Sequence, residues 1–166
     1  MGLFDWFRKT AVAEPIYSVM NEDHIELYRI LGELRLSGVR SADDAAVRER
    51  KRAATLDVMQ RLIEESRAHF RREEALMARY DYPAARAHKD DHLVLLMSIE
   101  VYFAQVAAGS VPATDEVSDY LKTWLTSHIR NADHLLERFL CSALKRRRRY
   151  PALIPAVLRL RLRGRR

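Results

Sequence analysis

The chain has 166 residues, 48% of them apolar, with five glycines, five prolines and one cysteine, Cys141; this suits a single domain with a real core and excludes an intramolecular disulfide framework. No apolar run approaches the roughly 20 residues of a membrane span, and the N-terminus lacks the order of a signal peptide, so the cytoplasm is the expected compartment. Ten of the 29 Lys/Arg residues lie between Lys145 and Arg166, a stretch without an acid, which leaves 19 basic against 23 acidic side chains before it; the net charge of +6 therefore describes an appendage on a mildly acidic body.

Four helices are predicted. In the first, Met20, His24, Leu27, Leu31 and Leu34 recur in steps of four and three, the rhythm of one buried helix face. After the polar stretch Ser37 to Asp44, the second carries Met59, Leu62, Ser66, His69, Glu73, Leu76 and Tyr80 and closes at Asp81-Tyr82-Pro83, where proline disfavours continuation. The third runs through Ala85, His88, His92, Leu95, Ile99, Tyr102 and Val106 and stops at Gly109-Ser110. The fourth starts at Thr114 or Asp115, either of which suits an N-cap, and continues through Leu121, Trp124, His128, Leu135 and Phe139. The expected architecture is all-α, an up-down-up-down four-helix bundle over residues 16–144, with a short N-terminal arm (1–15) and a basic C-terminal extension (145–166).

Five of the six histidines and two carboxylates fall on those faces: His24, His69-x3-Glu73, His88-x3-His92 and His128-x4-Asp133. Side chains four residues apart share a face one turn apart, so the two inner pairs converge. Without a metal, the core would have to satisfy five imidazoles and two carboxylates, whose unpaired burial is costly. As ligands they make a mixed nitrogen and oxygen field that suits iron, with zinc or copper compatible on ligand type alone. Asp133 stands apart, because five residues is about 140° round an ideal helix. A single π-helical turn would bring it inward; regular bonding would leave it to reach in sideways. The chain has no Glu-x-x-His, so it lacks the ferritin-like motif, and the histidine majority favours reversible ligand binding over oxidative chemistry.

The string His69-Phe70-Arg71-Arg72-Glu73-Glu74-Ala75-Leu76-Met77, followed by Tyr82-Pro83, His88-Lys89 and His92, resembles the second and third helices of bacterial hemerythrins. Trp124-Leu125-x-x-His128-Ile129-x-x-x-Asp133 resembles the fourth. The resemblance runs from about Ile16 to Phe139 and departs at Asn21, where the family usually has aspartate, and at Gly32, where asparagine is common. It implies two iron ions, ferrous or ferric, joined by an oxo or hydroxo bridge. His88, His92 and His128 would hold one iron and His24 and His69 the other, which keeps an open position, while Glu73 and Asp133 bridge the pair. Dioxygen would bind at the open iron, beside a pocket for which Leu125, Ile129, Leu27 and Phe70 are the candidates.

The function this implies is reversible dioxygen binding, as a carrier, store, delivery protein or sensor. The alternatives are a di-iron enzyme reducing peroxide, nitric oxide or dioxygen, and an iron-handling protein. The tail from Lys145 to Arg166 suits anionic lipid headgroups or an acidic partner, hence a peripheral place at the inner membrane face, with nucleic acid less favoured. Leu3, Phe4, Trp6 and Phe7 would form either an arm packed on the bundle or an interfacial anchor.

Overall fold

The structure, a computed structural model, describes residues 14–38, 42–111 and 115–149. The Leu3 to Phe7 cluster, the Thr114 cap and the tail from Tyr150 onward lie outside the described residues. Helix α1 spans Glu14–Ser37, α2 Ala45–Tyr80, α3 Ala85–Ala107 and α4 Asp115–His128. Residues Ile129–Asp133 continue α4 as a π-helical turn, and α5 follows without a break over His134–Arg149. No described helix is long and apolar enough to cross a membrane.

The helix limits follow local chemistry. Asp44 caps α2 by accepting a 2.8 Å hydrogen bond from the Val47 N–H, which satisfies a donor the first turn leaves unpaired. At the other end Asp81 turns left-handed at φ 52°, and its N–H and that of Tyr82 both return to the Met77 carbonyl. Gly109 does the same for α3 at φ 70°, its N–H donating to Val106; a residue without Cβ takes that conformation at little cost.

Helix α1 packs on α2 and α4, α2 on α3, and α3 on α4, so the four close a ring. Cross-helix bonds show that neighbours run antiparallel. The Thr55 hydroxyl, early in α2, bonds Ser37 at the end of α1, whereas Arg72, late in α2, bonds Asp23 early in α1. Arg52 donates to the Ala107 carbonyl where α3 ends. Ser118 donates to the Leu31 carbonyl, and Tyr28 to Thr126, joining α1 to α4. This is the expected up-down-up-down bundle. Its core has two layers, a larger one with Leu27, Leu31, Leu62, Phe70, Ile99, Leu121 and Leu125, and a smaller one of Met20, Met77, Leu136 and Leu140.

The expected inward face fails after Asp133 and near the end of α2. Leu135 is 55% exposed and Phe139 only half-buried, while Leu136 is at 0% and Leu140 is also buried. The π-helical turn inserts one residue into the repeat, so every position after Asp133 shifts by one. In α2 the last turns drift as well: Leu76 and Tyr80 are half-buried and Met77 is fully buried. A straight helix departs from a seven-residue repeat by about 20° per heptad, and α2 is long enough for that to accumulate.

The register shift predicts opposite outcomes at adjacent residues. Leu136→Ala is expected to lower the unfolding free energy by about 2–5 kcal/mol, as for other buried leucines. Leu135→Ala should stay within about 0.5 kcal/mol. Urea denaturation of both variants in the same metal state measures this, and equal losses would contradict the shifted register.

Candidate metal centre

Each helix of the ring delivers ligand-type side chains to one level between the two core layers. His24 comes from α1, His69 and Glu73 from α2, His88 and His92 from α3, His128 from the last residue of α4 and Asp133 from the end of the π-helical turn. All seven are buried, and His24 is the most exposed at 7%. They form two overlapping groups: Glu73, His88, His92, His128 and Asp133; and His24, His69, Glu73 and Asp133. Within each group one ligand atom per residue lies within 4.8 Å of the others, and Glu73 and Asp133 belong to both.

Asp133 is the hub. Its Oδ1 lies 3.0 Å from the Nε2 of both His88 and His128, and its Oδ2 lies 3.1 Å from His24 Nε2. Glu73 Oε2 lies 3.2 Å from His92 Nε2, 3.4 Å from His88 Nε2 and 3.7 Å from His69 Nε2. Yet none of these nitrogens, nor either oxygen of the two carboxylates, makes a hydrogen bond of acceptable geometry. Buried polar atoms are nearly always paired. A set of nitrogen and oxygen lone pairs converging without partners is what a cation would satisfy, so these residues fit a metal.

Other side chains aim the ligands. His69 Nδ1 lies 3.2 Å from Asp23, whose carboxylate is gripped by Arg72 at 2.7 and 2.8 Å. His92 Nδ1 lies 3.3 Å from Glu74, which Lys89 approaches at 3.3 Å. A proton held on Nδ1 by a carboxylate leaves the Nε2 lone pair free for a metal. Rings are also packed in place: Phe70 stacks on His92 at 3.8 Å and 10°, and Trp124 on His128 at 4.9 Å and 12°. The departures at Asn21 and Gly32 leave this intact, because Gly32 is exposed and the carboxylate reaching His69 belongs to Asp23.

Sequence reasoning missed Asp23, Glu74 and Glu137. The first two lie off the apolar rhythm, each beside a ligand, and adjacency to a histidine or glutamate of the site was their one signal. Glu137 is buried because it follows the π-helical turn, and its carboxylate lies 3.7 Å from partly exposed His134.

In the metal-free protein, burial pushes Glu73 and Asp133 up, but the crowding imidazoles outweigh it and hold both below the ordinary carboxylate range. They therefore stay ionised, the form that binds metal. Burial lowers His88, and the facing carboxylates more than reverse it, to about 9. Asp23 is held low by His69 and Arg72 against the opposing effect of burial. Glu137 goes the other way: burial raises it to about 7, His24 opposes that, and Asp133 and Glu73 add to it.

A model of the hemerythrin HHE cation-binding domain matches residues 15–140. The chain belongs to the hemerythrin family. Bacteriohemerythrin of Pseudomonas paraeruginosa is 34% identical over 84 residues, covering 51% of this chain and 54% of its own length. The figures for that of Pseudomonas aeruginosa are the same. Bacteriohemerythrin of Stenotrophomonas maltophilia is 30% identical over 115 residues, 69% of each chain. The chain thus spans about half the length of the Pseudomonas relatives it matches. No solved structure matches it. Membership in the hemerythrin family implies binding of non-haem iron, and the buried histidine, glutamate and aspartate cluster is suited to it.

His69→Ala, Glu73→Ala and His92→Ala are each expected to lower iron bound per chain, measured by elemental analysis after anaerobic reconstitution; wild-type content in all three would remove these residues from the site. Glu137 offers a pH-dependent test in the metal-free protein. Its folded pKa of about 7 lies above the unfolded value of about 4.3, so the folded state holds the proton longer and this residue's contribution to stability falls as pH rises between those values. Glu137→Gln should therefore gain stability relative to wild type across that window and show no such gain below pH 4. A pH-independent difference in denaturation midpoint would contradict it.

Proposed function

We propose that this hemerythrin-family chain binds dioxygen reversibly at a centre of two irons bridged by an oxo or hydroxo group, as a carrier, store, delivery protein or sensor. The observation that carries the reading is the pair of buried ligand groups sharing Glu73 and Asp133. His88, His92 and His128 would fill one iron, and His24 and His69 would leave the other with a free position. Bound ferrous iron supplies the electrons for holding dioxygen, and the surroundings must keep water and protons away.

The wall supports this. Leu27, Phe70 and Leu125 are buried in one apolar cluster, with Ile129 packed against it. Leu125 precedes His128 by three residues, so it shares that ligand's face. None of the four side chains can give up a proton, and a dry wall disfavours water access and irreversible oxidation. Glu137 carries the second reading, a di-iron enzyme reducing peroxide, nitric oxide or dioxygen: it is a buried acid whose charge interacts with His24, able to donate where the wall cannot.

Stopped-flow mixing of the anaerobically reduced protein with dioxygen tests the choice. A lasting spectrum that reverts when the gas is removed supports carriage, and rapid turnover with added reductant overturns it in favour of the enzyme. Leu125→Asn should admit water without deleting a ligand. Its oxygenated form should decay faster than that of wild type while iron content stays the same, and unchanged decay would mean that Leu125 serves packing alone.

A further inference from the structure

Every candidate ligand is buried, so iron must cross a wall to reach the centre. A cavity of about 170 Å³ opens between α3 and α4, lined by Asp91, Trp124, Ser127, His128, Asn131 and Ala132. Its lining carries a carboxylate, a hydroxyl and an amide, the last held by a 3.2 Å bond from Asn131 to the Ser127 hydroxyl. At about 30 Å³ per water, it accommodates roughly the hydration shell of one divalent ion. The inner wall is His128, whose Nε2 lies 3.0 Å from the hub carboxylate of Asp133.

We propose that ferrous iron reaches the centre through this vestibule, captured first by Asp91 and passed to His128. The inference rests on the metal-centre reading. Asp91 is exposed beside exposed Asp90, so the mouth on the α3 side attracts a cation. Lys122 and Arg130 line the adjoining groove, which shares Ser127 and Asn131, and they discourage approach from that side. The backbone of the inner wall suits a gate. His128 precedes the π-helical turn and Asp133 ends it, so a local opening of that one turn would move two ligands together. A rival path runs through His134 and Glu137, 3.7 Å apart, which offer two ligand-type groups of their own.

The test mixes full-length metal-free protein anaerobically with Co2+, whose visible bands intensify on ligation by imidazole, and follows the rate. Asp91→Asn, a surface change, should slow loading roughly three- to ten-fold and weaken its salt dependence, with metal bound at saturation unchanged. Ala132→Leu, which narrows the vestibule, should slow loading similarly, and Glu137→Gln should load at the wild-type rate. Wild-type rates in both vestibule variants would overturn the proposal. So would slowing by Glu137→Gln alone, which places the route at His134. Reduced saturation in Asp91→Asn would instead make Asp91 a support of the site itself. If wild type binds neither Co2+ nor Fe2+, the metal-centre reading fails; if it loads and the vestibule variants match it, only the route fails.

Discussion

Five imidazoles and two carboxylates buried at one level of a helical bundle, with their inner atoms unpaired, constrain everything else in this molecule. Burial of such groups is unfavourable unless each finds a partner. The carboxylates approach the imidazoles at 3.0 to 3.7 Å without hydrogen-bond geometry, so the side chains do not satisfy one another. A metal supplies the missing interaction and makes the level a cross-link of all four helices. Folding and metal binding are then linked: stability that the polar layer removes from the metal-free bundle returns on binding.

The π-helical turn is the second constraint, and it joins the site to the core. Without it Asp133 would point about 140° from His128. With it, the carboxylate reaches three histidines from three helices. The same inserted residue exposes Leu135, buries Leu136 and Leu140, and turns Glu137 inward. Aiming one ligand therefore reset the packing of the described first turns of α5, which is why the apolar rhythm read across Asp133 names the wrong leucine.

How much was legible in the sequence depended on whether a contact lies within one helix or between helices. All seven clustered residues stood out because ligation demands particular side chains at fixed spacings on one face. Helix ends stood out as well, since Asp44, Asp81 and Gly109 act through local backbone chemistry. Asp23 and Glu74 did not: each reaches a histidine on a neighbouring helix, 46 and 18 residues away, from a position with no periodic signal. Glu137 was hidden for a different reason, since its burial depends on a register that only the π-helical turn creates. The ring stacking of Trp124 and Phe70 was half legible, as an apolar position without an orientation.

On the proposed reading the centre must admit two visitors of opposite solvation. Dioxygen is apolar and enters a dry core at little cost, whereas a ferrous ion arrives hydrated and cannot cross such a core without losing water it needs. One passage cannot serve both, because polar groups that would carry the ion would also admit the water and protons that end reversible oxygen binding. Both kinds of surface meet the cluster: Leu27, Phe70 and Leu125 belong to the buried apolar core, while Asp91, Ser127 and Asn131 line a polar cavity that reaches His128. With His128 assigned by the proposal to the three-histidine iron, the polar route would reach the iron that has no open position rather than the one that would bind the gas.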